Sequence, residues 1–371
     1  MKVLMINKLY YPVIGGVENH VRDLATSIRA FSGNADVRVL VANTGAKTVQ
    51  EEIDDLQVTK VASIATIQSA PLAPTLPIWL RRLKSDIYHF HFPYPIGEFS
   101  YLLARPPGKM IVTYHSDIIR QKLLLNLYKP FLKVFLKRAD RILASSPNLI
   151  ESSPILRDFK DKCTVAHFGI DISRFKNTAQ QKEKIERIRA KFSRKIILFV
   201  GRLIYYKGVQ YLIEAMEDID ADLVIVGEGP LEKELRQLAS KLNVVPKVHF
   251  LGTVTDEELP YYYHACDVFV LPSVARSEAF GLVQLEAQAC EKPVVSTNLK
   301  SGVPYANLDQ VTGLVVQPKS KSSLSKAINK LLENENLRKA YGKNGRKRVE
   351  TKFSKEAMAR KVMQVYGEVL S

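Results

Sequence analysis

Apolar and polar positions alternate in two rhythms along almost the whole chain. Short β-branched runs predict buried parallel strands: VLMI at 3–6, VRVLVA at 37–42, IYHFHF at 87–92, MIVTYH at 110–115 and RILASS at 141–146. Between several of them apolar residues return at helical spacing, as in Val17–Phe31 and Leu123–Lys137. This alternation predicts an open α/β sheet with helices on both faces. After the polar, charged stretch Lys176–Arg194 the rhythm starts again. KIILFVG at 195–201, DLVIVG at 222–227, KVHFLG at 247–252, DVFVLPS at 267–273, KPVVST at 292–297 and GLVVQP at 313–318 predict a second sheet. Two doubly wound domains in series follow, over residues 1–175 and 176–354. In the last segment, 355–371, Met358, Val362, Val365, Tyr366 and Val369 form a helical stripe that predicts a return onto the first domain.

Open α/β sheets bind ligands beyond the carboxyl ends of their strands, and two facing sheets would leave a cleft between them. The loops just after strands are therefore where chemistry is expected. In YPVIGGVENHV, Gly15 and Gly16 follow the first strand and precede a helix. Adjacent glycines admit a ligand close to the backbone, and a helix start favours anions. A plain tight turn uses the same pair, and the G-x-G-x-x-G dinucleotide fingerprint is not present. In GRLIYYKG, Arg202 and Lys207 put two cations at a strand end, as a phosphate grip or as two solvated surface charges. In SEAFGLVQLEA, Glu278 and Glu286 stand eight apart. Around Phe280, Gly281 and Leu282 a helix start would expose N–H groups to a pyrophosphate or a sugar hydroxyl. Glu286, one turn past Leu282, can accept from a ribose diol, while Glu278, in the loop before the helix, can hold sugar hydroxyls. Acids favoured by the helix dipole would leave the same pattern, and a glycosidase pair needs a defined carboxylate separation.

Taken together, GGVENHV, TYHSD, HFGID, GRLIYYKG, VGEGP, FLGTV and the E-x7-E element EAFGLVQLE resemble the GT4 family of retaining glycosyltransferases. The likeness runs in order over essentially the full chain. It implies the GT-B fold: two Rossmann-like doubly wound domains facing across a cleft, acceptor-side first and nucleotide-sugar-binding second. It implies that Arg202 and Lys207 neutralise the leaving diphosphate, that Glu286 holds the ribose and that Glu278 orients the transferred sugar. Phe280, Gly281 and Leu282 match backbone donors to the diphosphate and sugar. His115, in TYHSD, matches a histidine beside the reacting carbon, and Gly16 a glycine whose amide approaches the diphosphate. Val254 matches a residue whose backbone reads the base, with Asp256 assisting. The resemblance further implies hexosyl transfer by same-face displacement, without cofactor or metal, the nucleotide-sugar being a substrate. One departure stands out: KSGVPYAN follows VVST where many relatives have G-G-x-x-E, with Asn307 near the expected acid. That variant resembles certain bacterial polysaccharide mannosyltransferases, which brings mannose into view as the sugar.

Charge narrows the setting. A net charge of +16 exceeds what solubility needs and suggests nucleic acid, an anionic membrane or a phosphate-bearing ligand as partner. Between Arg105 and Arg141, nine Lys and Arg face only Asp117 and Asp140. Within that stretch Lys122, Lys129, Lys133 and Lys137 fall in one helical band, beside an apolar band of Leu124, Leu127, Phe131 and Phe135. This is the composition of an interfacial helix on anionic lipid, or equally of a core-facing helix with a wet basic face. A second basic cluster, Lys319–Lys361, reads as solvated helix surface. Cys163, Cys266 and Cys290 have no metal-like spacing and read as small buried hydrophobes in a reducing compartment. The first residues read as a buried strand, not a secretory signal, and no apolar run is long enough to span a bilayer. The expectation is a cytoplasmic enzyme, peripheral to the inner face of the plasma membrane, taking a nucleotide-sugar donor and a glycan or lipid-linked acceptor.

Several residues invite other readings. Asp218, Asp220 and Asp222 lie before a strand, at the wrong end for a ligand, and predict a solvated loop instead of a metal site. His89 and His91 share one face of a strand, as core, rim or cleft residues, and Tyr261–Tyr263 predict a packing helix. A nucleotide-sugar epimerase of the same fold is the rival enzyme. A basic nucleic-acid binder is the rival outside enzymes, but no such motif is present and the aromatics are not interleaved with the charge, so no nucleic-acid partner is expected.

Overall fold

Strand Lys2–Ile6 buries all but its first side chain, so it needs cover on both faces and takes the middle of a sheet. The computed structural model describes residues 1–13, 15–67, 70–118 and 122–371. In its first unit, Met1–Gly169 with Lys355–Ser371, the sheet has eight strands. From edge to edge they are Cys163–Val165, Arg141–Ala144, Lys109–Tyr114, Ile87–Phe92, Lys2–Ile6, Asp36–Ala42, Leu56–Val61 and Val49–Ile53. Neighbours are parallel except the last pair, a hairpin turning through Asp54 and Asp55 at φ 52° and 58°. That hairpin was not among the predicted strands, because VQEEI carries two apolar residues and is largely exposed.

Alternate residues feed two cores. Leu4, Ile6, Phe90 and Phe92 meet Leu132, Phe135 and Leu136 on one face. Val3 and Met5 meet Val21, Leu24, Val362 and Tyr366 on the other. Helix Lys355–Leu370 thus lies on the first unit beside helix Gly16–Ser32, held by its predicted apolar stripe. Each such side chain removed from water contributes roughly 1.5–3 kcal/mol.

The second unit, Ile170–Ser354, has six parallel strands. Their order is Val248–Gly252, Asp222–Val226, Ile196–Val200, Val268–Leu271, Val294–Thr297 and Gly313–Val316. Asp222 corrects the wet-loop expectation. It opens its strand, is buried, and accepts from the Arg194 N–H at 3.0 Å and from His249 Nε2 at 2.9 Å. Only Asp218 and Asp220 are exposed. Cys266 and Cys290 are buried and Cys163 half-buried, none in a disulfide.

Each sheet has a point where the winding reverses. In the first, Lys2–Ile6 lies between Asp36–Ala42 and Ile87–Phe92; in the second, Ile196–Val200 lies between Asp222–Val226 and Val268–Leu271. Connections leave such a pair in opposite directions, opening a crevice at the strands' carboxyl ends.

Candidate active site

In the second unit, two loops flank that crevice. After Val200 the chain makes a single short turn, Tyr205–Lys207, and closes it at Gly208 with φ 67°. A Cβ there would lie 2.2 Å from the Pro272 carbonyl oxygen, so only glycine lets this loop touch the one after Leu271. The Val274 N–H then donates to the Tyr206 carbonyl at 2.8 Å. This contact carries Lys207 to Glu278, with Nζ 2.7 Å from Oε2. Ser273 Oγ donates to the same oxygen at 3.0 Å. The two charged side chains are 11% and 10% exposed, so removing either would leave the other without its partner in a poorly solvated place. Lys207 is therefore not a solvated surface cation, which corrects one of the two readings of the loop. Arg202 is exposed, and its guanidinium has no partner among the described residues.

Helix Leu282–Ala289 starts from Gly281 at φ 73°, where a Cβ would meet Leu271 Cδ2 at 2.5 Å. No side chain caps it, and although the Gln284 N–H donates to the Gly281 carbonyl at 3.0 Å, the N–H groups of Leu282 and Val283 are left for a ligand. Phe280 is buried beside Phe353, ring centroids 5.8 Å apart, which fixes the backbone before the helix. One turn past Leu282, Glu286 accepts from the Tyr263 hydroxyl at 2.7 Å. Burial raises its carboxyl above the ordinary range and Asp256 adds to that, while the Tyr263 bond, Arg174 and Lys207 pull it down. Asp256 is exposed, and its carbonyl accepts from Arg174 Nη2 at 3.0 Å; Val254, two residues earlier, is half-buried.

Tyr263 is a residue that sequence reasoning missed, having been expected only to pack. Its single useful signal, a hydroxyl on a helix adjoining the E-x7-E helix, needs the fold to be seen. Asn307 turns out to be a strut. Its Nδ2 donates to Ser296 Oγ at 2.9 Å and its Oδ1 accepts from Thr312 at 2.9 Å, joining the last two strands.

In the first unit, Gly16 opens helix Gly16–Ser32 without a side-chain cap, and a Cβ on it would meet nothing within 4 Å. His115, just past Tyr114, is buried with Nε2 3.1 Å from His91 Nδ1. The His20 ring stands edge-on to it at 5.0 Å, and Phe168 stacks on it at 5.5 Å. His91 in turn stacks on His89, which Thr113 and Tyr366 hold at 2.7 and 2.6 Å. Burial keeps these imidazoles neutral: His20 and His89 are lowered to about 3, and His91 and His115 well below the ordinary range. Ring nitrogens of His20, His91 and His115 lie within 4.8 Å of one another, the one group among the described residues that could hold a metal ion. The sequence pointed to His115, left His89 and His91 open and gave no sign of His20.

The basic helix, Lys122–Arg138, differs from its expected pattern. Lys129, Lys133 and Lys137 are exposed, with Lys133 paired to Asp158 at 2.7 Å. The side chains of Lys122, Leu124 and Leu127 lie outside the described residues. Phe135 is fully buried in the core because its face of the helix covers the sheet, so it cannot belong to an interfacial band. Phe131 and Val134 are exposed, and Phe99 and Leu103 of helix Pro95–Ala104 join them, with the Phe99 and Phe131 rings 6.4 Å apart. Among the described residues no helix is long and apolar enough to cross a membrane.

Comparison with known proteins adds to this geometry. A family model described as Glycosyl transferases group 1 matches residues 180–348, and one described as Glycosyltransferase Family 4 matches residues 14–174. The chain is 34% identical to the O-antigen chain mannosyltransferase C of Escherichia coli over 373 residues, 100% of this chain and 99% of that protein. It is 34% identical to the D-rhamnosyltransferase WbpZ of Pseudomonas aeruginosa, over 95% of this chain and 92% of that one. The structure of Anabaena Alr3699/HepE in complex with UDP matches with a TM-score of 0.82 at 20% identity, over 99% of this chain and 100% of that one. The shared fold is GT-B.

Proposed function

We propose, from the premise that the chain belongs to the GT4-type family of group 1 glycosyl transferases and is a glycosyltransferase, that it moves a mannose-type hexose from a nucleotide-sugar with retention of configuration. The acceptor is a polysaccharide or lipid-linked glycan at the cytoplasmic face of the membrane. The observation that carries the donor assignment is the Lys207–Glu278 pair at 2.7 Å, set beside exposed Arg202 and the uncapped helix start at Leu282. Relatives named as mannosyl- and rhamnosyltransferases support the sugar class.

In this reading Glu286 holds the ribose, Val254 and Asp256 meet the base, and the N–H groups near Phe280, Gly281 and Leu282 meet the diphosphate; in the first unit Gly16 is the candidate amide for a phosphate oxygen. Glu278 keeps Lys207 in place and orients the sugar hydroxyls. As the bond from the sugar's anomeric carbon to the diphosphate oxygen breaks, negative charge grows on that oxygen, and Arg202 and Lys207 stabilise it. The acceptor hydroxyl attacks from the same face, forms the new bond to the anomeric carbon and passes its proton to the departing diphosphate. His115, neutral because it is buried, positions the reacting sugar without adding charge. The two cationic side chains do a divalent ion's work, so transfer proceeds without metal. The test is the product's anomeric configuration by NMR, with GDP-mannose and UDP-glucose as donors and chelator in parallel. Retention with undiminished rate in chelator is expected; an inverted product, or activity that a divalent ion must restore, overturns the reading.

The membrane contact rests on Phe99, Leu103, Phe131 and Val134, exposed beside Lys129, Lys133 and Lys137. Near an anionic leaflet each cation contributes about 1 kcal/mol, and that attraction weakens with salt. Co-sedimentation with anionic vesicles should fall as salt rises and should fall further when the three lysines become glutamine. Unchanged binding of that variant removes this helix from the membrane.

A further inference from the structure

The second unit carries a concavity at the opposite end of its sheet from the Lys207–Glu278 pair. Lys292 stands two residues before strand Val294–Thr297 begins, whereas Glu278 follows the end of strand Val268–Leu271, so the strands' length separates them. The concavity has a volume of about 890 Å³, and Lys176, Lys292, Lys343 and Arg346 line it around His264 and Cys290. That volume suits a small-molecule ligand.

Close backbone approach builds it. Helix Glu335–Lys352 lies hard against the turn before Val294: a Cβ on Gly342 would come within 2.0 Å of the Glu291 carbonyl oxygen, and one on Gly345 within 2.9 Å of Gln288 Cγ. These glycines let the helix bring Lys343 and Arg346 beside Lys292. Arg346 is already committed, bonding to the Ala289 carbonyl and to Glu350, and Lys339 pairs with Glu335. Lys176, Lys292 and Lys343 have no ion-pair partner among the described residues. Five cations share the lining with two carboxylates, Glu291 and Glu350, so the excess is positive. Its field reaches the floor. His264 is pushed down to about 4, by burial first, then by Lys292, with Arg346 adding to it against the bond to the Phe175 carbonyl.

Three lysines without ion-pair partners line one concavity whose charge is net positive, and a multiply charged anion bound there would relieve their mutual repulsion. Lysines grip phosphate as mobile point charges, which matches this lining. We propose that the concavity is a second anion site, taking a di- or polyphosphate group of a small ligand, separate from the donor site. Part of the basic Lys319–Lys361 cluster, read from sequence as solvated surface, is then a binding wall.

The probe is inorganic pyrophosphate, titrated calorimetrically at low ionic strength into three proteins whose fold is checked by circular dichroism. The wild type should take two equivalents, one at each site. The Lys176→Gln/Lys292→Gln/Lys343→Gln variant should keep one, and Arg202→Ala should keep the one that the lysines hold. Should the triple variant fail to fold, Lys343→Gln alone, on an exposed helix surface, should weaken the second equivalent several-fold. A folded lysine variant that binds as the wild type does overturns the site, whatever becomes of the Arg202 equivalent. Vesicles of phosphatidic acid in phosphatidylcholine distinguish the source. Lysine-dependent co-sedimentation, displaced by pyrophosphate, assigns a lipid headgroup; lysine-dependent pyrophosphate binding without it assigns a soluble phosphate. Wild-type protein that takes only the Arg202-dependent equivalent, with no lysine-dependent binding to vesicles, overturns the proposal.

Discussion

The two crevices are prepared in opposite ways. In the first unit, four buried imidazoles meet without a carboxylate among them: His20, His89, His91 and His115, held by ring contacts, Thr113 and Tyr366. In the second, Lys207 and Glu278 are buried as a charged pair, with Ser273 on the carboxylate. Neutral rings can crowd together without counterions, but they stay neutral only while the solution spares them. A buried ion pair does not tolerate the loss of one partner. The first unit should therefore be the one that acid breaks, and the second the one that substitution breaks.

Acid has the larger expected effect. Above pH 6.5 folded and unfolded imidazoles are both neutral, and these groups make stability independent of pH. Below it the unfolded chain binds protons that the folded histidines refuse, so stability falls with pH down to about 3, where His20 and His89 themselves titrate. One unit below 6.5 each such histidine costs about 1.4 kcal/mol, or about 6 kcal/mol for four. Glu98 acts in the other direction. Burial raises it to about 8, so stability falls as pH rises from the unfolded carboxyl value toward 8. Hydrogen exchange followed strand by strand checks this. At pH 5.5 protection of Lys2–Ile6 and Ile87–Phe92 should drop well before that of Ile196–Val200 and Val268–Leu271. Equal loss in both units would abolish the contrast.

Next in size is the difference between the two cations of the loop after Val200. Lys207→Ala leaves Glu278 buried and unpaired, which should cost about 3–5 kcal/mol of stability. Arg202→Ala, at an exposed side chain, should leave the melting temperature nearly unchanged. Both should lower transfer by about two orders of magnitude, the usual loss when a donor to a developing charge is removed. A Lys207→Ala protein that melts like the wild type means that the pair is better solvated than its burial implies.

What the sequence revealed follows the same division. The buried strands of both sheets were legible because β-branched runs leave a strong period; the exposed hairpin Val49–Ile53 leaves none. Arg202, Lys207, Glu278 and Glu286 stood out as candidates because they are charged residues in or just after the loops at strand ends, where ligands bind in open sheets. The partners that hold them were not. Tyr263 and Ser273, and in the first unit His20 beside His115, look like ordinary core residues until the topology brings elements distant in sequence side by side. The burial of Lys207 was hidden for the same reason, since it depends on a contact between residues 206 and 274. Phe135 and Phe131 sit four apart in one helix and differ completely in exposure, a distinction that composition does not carry.

The smallest expected effect tests whether Tyr263 belongs to the donor site or only to the core beneath it. Glu286→Ala removes a carboxylate proposed to hold the ribose and should weaken nucleoside diphosphate binding about tenfold or more, as loss of a hydrogen bond to a charged group does. Glu278→Gln should spare that affinity and depress transfer. Tyr263→Phe removes only the hydroxyl 2.7 Å from Glu286, worth about 1 kcal/mol. Because that bond pulls down a carboxyl that burial raises, its loss should also lift the pH below which nucleotide binding weakens. The decisive measurement is a double-mutant cycle by calorimetry. If the hydroxyl acts through Glu286, Tyr263→Phe should weaken binding several-fold in the wild type and add nothing once Glu286 is alanine. Equal weakening in both backgrounds would place the hydroxyl's influence elsewhere, leaving Glu286 to reach the ligand without it.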